Sequence, residues 1–184
     1  PDAPESLGLL ALLLLHDARR SSRVDADGSL VLLEHQDRSS WDHELIERGT
    51  ALLGRAGALG RPGPFQLQAA IAALHAQAPS VEETDWVQIA ALYTALLPIW
   101  SSPSARVGHA VAIGMADGPD TGLAALDRLT DDDAHLLAAR GHLLERAGRI
   151  DEAAAAFHSA AESARHPLEA KRLRRRARDA GNPR

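Results

Sequence analysis

The chain has 184 residues, 45% of them hydrophobic and 24% charged, the size and balance of one core-forming unit. Aromatic residues make up only 3%, so the core has to be built from Leu, Ala, Ile and Val, which favours helices over sheets. The absence of cysteine excludes disulfides, thiolate metal sites and a cysteine nucleophile, and the glycine and proline content shows no fibrous period. Leu7 to Leu15, the longest apolar run, is far shorter than the roughly 20 residues of a membrane span, and the acidic Asp2 and Glu5 precede it where a signal peptide is basic. The expectation is a cytoplasmic protein without membrane contact. Because the chain begins at Pro1 rather than Met, an upstream segment is also expected. The net charge of -5 is uneven: residues 165–184 carry +6 and the rest -11, and an acidic body does not read as a nucleic-acid binder in its own right.

In chain order, Glu5 to Arg20 reads as a buried helix with leucines on more than one face, packed on both sides. Asp27-Gly28 is a turn signal, and the apolar run Leu30 to Leu33 is either an edge strand or an extended segment over helices. The second is preferred, since no other strand pattern exists to pair with it. Ser39 or Ser40 can cap a helix whose inner face is Trp41, Leu45, Ile46, Leu52, Leu53, Ala56 and Leu59, ending at Gly60. A helix over Phe65 to Ala78 turns Leu67, Ala70, Ile71 and Leu74 inward, and Pro79 stops it. Ser80 and Glu83 form a capping-box pattern before a helix over Asp85 to Leu97, with the stripe Trp86, Ile89, Ala90, Tyr93, Leu96 and Leu97. Helices follow over Ser104 to Ala116, Pro119 to Leu129, Ala134 to Ala147, Asp151 to Ala164 and Pro167 to Ala180. About nine helices joined by short loops predict an all-α fold of antiparallel hairpins, stacked as a helical repeat.

The stretch LLAARGHLLERAGRIDEAAAAFHSAAESARHP resembles a tetratricopeptide repeat. Gly141, Ala153 and Ala160 let two helices approach, Leu144 and Phe157 fill the space between them, and Gly148 makes the turn. Arg165 stands where that family closes with proline, which arrives at Pro167. Residues 104–130 form a degenerate copy around Gly118, with Ala124 and Leu126 loosely placed.

Nine histidines are scattered without metal-ligand spacing: His43-Glu44 lacks a second histidine four residues on, and His135 and His142 are seven apart. No nucleophile elbow, phosphate loop or dinucleotide fingerprint is present, so neither enzyme activity, a metal nor a cofactor is expected. The polar run Gln36-Asp37-Arg38-Ser39-Ser40-Trp41-Asp42 reads as a helix start with Asp37 and Ser39 as caps and Trp41 as an anchor, and Thr84-Asp85-Trp86 as a cap before a core tryptophan. The indole and phenol groups of Trp41, Trp86 and Tyr93 need polar partners, so they could equally line a groove. The run Lys171, Arg172, Arg174, Arg175, Arg176 and Arg178 is basic nearly all round a helix, so it is no core helix. It is either a solvated terminal cap or a docking surface for an acidic partner, DNA phosphates or the chain's own acidic body.

Taken together, PESLGLLALLLLHDARR, QDRSSWD, GRPGPFQLQAAIAALHAQA, TDWVQIAALY, ARVGHAVAIGMADGP and LLERAGRIDEA resemble the long C-terminal extension of a group of bacterial extracytoplasmic-function sigma factors, from about Glu5 to the end. Phe65 stands where that family has Tyr, and Val107-Gly108 where it has Leu-Asn. The resemblance implies a single helical, tetratricopeptide-like regulatory domain over 1–184, with a family-specific part at 1–100 and repeat helices at 101–184. It would follow two upstream domains that bind core RNA polymerase and the promoter, and control the sigma factor in place of a membrane anti-sigma factor. The implied partners are those sigma domains, core RNA polymerase and an unknown small-molecule or protein signal, with promoter DNA reached only through the upstream domains. Arg19, Asp37, Arg38, Trp41, Gln68, His75, Asp85, Trp86 and Tyr93 are the expected groove lining, by hydrogen bonding and aromatic anchoring. The alternative is a stand-alone tetratricopeptide-type adaptor that binds a foreign peptide, and a weaker third reading is an enzyme hidden in the polar clusters.

Overall fold

A computed structural model describes residues 3–25, 28, 31–60, 62–130 and 133–181. Among them the chain is all-α as expected, with nine α-helices, three single 3-10 turns and no strand. Its contacts divide it into two compact units, 1–101 and 102–184.

The first unit holds α1 (Pro4–Asp17), α2 (His43–Ala58), α3 (Pro64–Gln77) and α4 (Trp86–Leu96). Pro4 in the first turn of α1 has a preset helical φ and loses no hydrogen bond there. The helix packs on α2 and α3 through Leu7, Ala11 and Leu15. Two glycines set the approach: a Cβ at Gly8 would lie 2.8 Å from the Gln66 nitrogen, and one at Gly49 would lie 2.9 Å from Leu15 Cγ. Trp41, Ile46, Ala69 and Ala73 complete the core. The expected packing on both sides of α1 is corrected for Leu9, Leu10 and Leu13, which stay exposed at 37%, 46% and 58% because the main neighbours are α2 and α3 alone.

The first turn of α3 is capped from another helix. Gly63 precedes it without a side chain to offer, and the Glu5 carboxylate of α1 accepts from the backbone N–H groups of Phe65 at 3.0 Å and Gln66 at 3.2 Å. A Cβ at Gly63 would overlap that carboxyl group.

Two helix starts differ from the sequence reading. Asp42, not Ser39 or Ser40, caps α2, its carboxylate accepting from Leu45 N–H at 3.0 Å. The two serines lie in a 3-10 turn, Arg38–Ser40, capped by Asp37, and Trp41 must be extended (φ -75°, ψ 147°) to enter the core, so the helix begins after it. Likewise Asp85 caps α4, accepting from Gln88 N–H at 2.9 Å, whereas Ser80 Oγ accepts from Glu83 N–H and closes a separate turn. Leu59, expected inward, is 51% exposed because the helix has ended. In α3, Leu67 and Ile71 are buried as expected, while Gln66, Ala69 and Ala73 are buried ahead of Ala70 and Leu74. Of the run Leu30 to Leu33, Leu32 is extended (φ -64°, ψ 150°), Leu33 opens a 3-10 turn and packs on the core, and Val31 N–H donates to the Arg23 carbonyl at 2.8 Å beside an isolated bridge at Val24. Leu30 and Asp27 lie outside the described residues, while Gly28 has φ +81°.

The second unit holds α5 (Pro103–Asp117), α6 (Pro119–Leu126), α7 (Ala134–Arg146), α8 (Ile150–Ser163) and α9 (Pro167–Ala180). α5 and α6 meet where two glycines face each other: a Cβ at Gly122 would lie 2.6 Å from Gly114 Cα and 2.9 Å from the Ala110 carbonyl. Leu143 of α7, fully buried, packs against the same crossing. Of the two loosely placed positions of the degenerate copy, Leu126 is buried and Ala124 is exposed, because the inward face of α6 is Gly122, Leu123 and Leu126.

In the α7–α8 hairpin a Cβ at Gly141 would lie 2.7 Å from the Phe157 ring, Ala153 and Ala160 are fully buried, and Leu144 is 5% exposed. Gly148 takes φ +74°, its N–H donating to the Glu145 carbonyl at 3.0 Å while Arg149 N–H donates to that of Leu144 at 2.9 Å. This pairing satisfies carbonyls that the end of α7 leaves open, and the left-handed backbone suits glycine.

The reading of α9 as basic nearly all round is corrected. Ala170, Leu173, Ala177 and Ala180 line one face, Leu173 is 1% exposed, and the helix packs on α8. Small residues three to four apart leave room for the long arginine stems to lie along the apolar surface.

Candidate functional site

The end of α1, the turn Arg38–Ser40, the end of α3 and the start of α4 bring side chains together in the first unit. Arg38 Nη1 donates to the carbonyls of His75 and, at 2.7 Å, Ala78, so a cation meets the open carbonyls and negative dipole end of α3. The Arg38 guanidinium also stacks over Trp41, 4.9 Å from the ring centroid. The His75 ring stands edge-on to Trp86 with centroids 5.2 Å apart. Trp41 Nε1 donates to Ser22 Oγ at 2.8 Å, and that hydroxyl lies 3.0 Å from the Arg19 carbonyl and 3.3 Å from the Gln36 amide oxygen. Gln36, buried, donates in turn to the Val31 carbonyl at 3.0 Å.

Arg19 follows α1, half-buried and within electrostatic reach of Arg23 and Arg38. Burial, then the two neighbouring cations, lower its pKa to about 10. Burial, then Arg19 and Arg38, lower His75 to about 4; burial, then Arg19 and Arg23, do the same for His16. Arg23 Nη2 donates to the His16 carbonyl at 2.9 Å and lies 3.2 Å from His16 Nδ1, which as acceptor leaves the ring proton on Nε2. Both rings are therefore neutral at pH 7 in the folded chain.

A pH dependence follows. An unfolded histidine titrates near 6.5, so acidification protonates the unfolded chain first, and stability falls from about pH 6.5 down to about 4, by up to about 3 kcal/mol for His75. Urea unfolding followed by tryptophan emission should show this, since Trp41, Trp86 and Trp100 all lie in the first unit. His75→Gln should flatten the slope between pH 6.5 and 5. Equal slopes in parent and variant would contradict the buried neutral ring.

Of the expected groove residues, Arg19, Arg38, Trp41, His75 and Trp86 come together. Trp86, expected as a core residue, is only half-buried. Asp37 is exposed and held by Ser39, whose hydroxyl and N–H both donate to it and lower its pKa. Asp85 is the cap of α4, and Gln68 donates to the Pro64 carbonyl of its own helix at 3.2 Å. Tyr93 is half-buried two turns along α4 from Trp86, its hydroxyl pKa raised by burial. His16, Ser22, Arg23 and Gln36 were missed. Gln36 sits in the dense polar run, and His16 and Arg23 flank Arg19 at helical spacing, the signal that was available.

On α9, Lys171, Arg174, Arg175 and Arg178 are exposed and share one face at i, i+3, i+4 and i+7, while Arg172 is half-buried. Arg176 belongs to the interior: it pairs with Glu145 of α7 and lies over the Phe157 ring at 4.9 Å. Among the described residues no group of three His, Asp or Glu is placed to hold a metal ion, and no helix is long and apolar enough to cross a membrane.

Residues 1–57 match a family described as "Family of unknown function (DUF6596)". An uncharacterized protein of Rhizobium meliloti (strain 1021) is 42% identical over 177 residues. The match covers 95% of this chain and 42% of that relative, so the chain spans less than half of the relative's length. No solved structure matches the chain.

Proposed function

We propose that the chain is the regulatory C-terminal module of a bacterial extracytoplasmic-function sigma factor, acting on transcription initiation through contacts with the sigma domains, core RNA polymerase or a signal. What supports the reading is the convergence of four of the motifs that carry the resemblance. PESLGLLALLLLHDARR supplies His16 and Arg19, QDRSSWD supplies Arg38 and Trp41, GRPGPFQLQAAIAALHAQA supplies His75, and TDWVQIAALY supplies Trp86. Segments far apart in the chain thus contribute to one polar and aromatic cluster. The cluster serves recognition in this reading, with no catalytic role, and the fragment alone binds no promoter.

The test joins the chain to upstream sigma domains and compares promoter-directed transcription with and without residues 1–184. A change in output on deletion is expected, and identical output under every condition would sink the reading. The tight α7–α8 hairpin at Gly141 and Phe157 favours a second reading, a tetratricopeptide-type adaptor. That reading predicts affinity for a foreign peptide and none for the sigma domains.

A further inference from the structure

Three arginines gather at the end of α1, and two of them are engaged. Arg38 is tied to the end of α3 and to Trp41, and Arg23 to His16. Arg19 differs: among the described residues its guanidinium has no ion pair and no hydrogen bond, although the side chain is half-buried among cations. Glu82 acts electrostatically on Arg38, and no carboxylate is among the charges that shift Arg19. A partly desolvated cation ordinarily has a partner, and a guanidinium fork matches the two oxygens of a carboxylate or phosphate. Trp41 and the His75–Trp86 pair supply aromatic surface beside the arginines, and the His16 and His75 rings next to them are neutral at pH 7.

We propose that the cluster of Arg19, Arg23 and Arg38 binds the oxyanion group of a small molecule, a carboxylate or a phosphate, with Arg19 as its fork. This rests on reading the cluster as a recognition site but not on its link to transcription. Binding can therefore succeed where the deletion test fails, and the reverse.

The test titrates the whole 184-residue chain with inorganic phosphate and with malonate against sodium chloride at matched ionic strength, reading tryptophan emission and the melting temperature of the first unit. A saturable response to either anion beyond the chloride control is expected. Response to phosphate alone assigns a phosphoryl ligand, and response to malonate alone a carboxylate one. Arg19→Gln should weaken binding at least tenfold without lowering the melting temperature of the free chain, since it removes a cation that has no partner. Arg19→Lys, which keeps the charge and loses the fork, should weaken it several-fold. No saturable response in the parent chain, or unchanged affinity in folded Arg19→Gln and Arg19→Lys, would overturn the site.

Discussion

Gly122→Ala is expected to destabilise the second unit by about 3 kcal/mol, against the sign that helix propensity alone assigns. Alanine in a helix interior gains up to about 1 kcal/mol over glycine. At Gly122 the added methyl meets Gly114 Cα at 2.6 Å, Leu143 Cδ1 at 2.8 Å and the Ala110 carbonyl at 2.9 Å. Two of those three atoms are backbone and cannot rotate aside, so α5 and α6 must part, and forcing extra volume into a packed crossing costs roughly 1–3 kcal/mol or more. Gly54 of α2 is the control: it is exposed with nothing within 4 Å of its Cβ direction, and Gly54→Ala should stabilise slightly. Thermal unfolding followed by circular dichroism reads both. A Gly122→Ala chain that melts at or above the parent temperature would show that the crossing is looser than described.

Arg176→Glu is expected to cost about 3–5 kcal/mol, because it sets two carboxylates against each other where Arg176 and Glu145 side chains are only 17% and 24% exposed. It also removes the cation from the face of Phe157. Arg174→Glu and Arg178→Glu, on the exposed face of the same helix, should each stay within roughly 0.5 kcal/mol. Denaturant unfolding distinguishes them, and equal losses at 174 and 176 would refute the assignment. A search for partners of α9 therefore has to reverse Lys171, Arg174, Arg175 and Arg178 and leave Arg176 intact. Reversing a block that includes 176 confuses lost binding with lost folding.

Helices were legible because their signals are local: apolar spacing, prolines at first turns and glycines past ends mark all nine within a few residues. Local rules failed where two candidates competed. Ser40 and Asp42 both suit a cap, and the burial of Trp41, a tertiary fact, decided between them. Gly114 and Gly122 read as helix weakeners until the facing helix supplies their purpose. At the candidate site the residue types were legible and their partners were not. Asp37, Asp85 and Gln68 spend their polar atoms within a few residues of themselves, whereas Arg38 reaches carbonyls about forty positions away. Arginines within one run look alike, yet Arg176 turns inward to reach both Phe157 and Glu145.

The cap that Glu5 places on α3 ties together segments sixty residues apart. An ordinary N-cap travels with its helix and forms as soon as the helix does. Here the N–H groups of Phe65 and Gln66 find their acceptor only after α1 has docked, so the first turn of α3 cannot mature as an isolated nucleus. Hydrogen exchange at those two amides then follows the undocking of α1 rather than fraying of α3, which makes the two helices one cooperative opening unit.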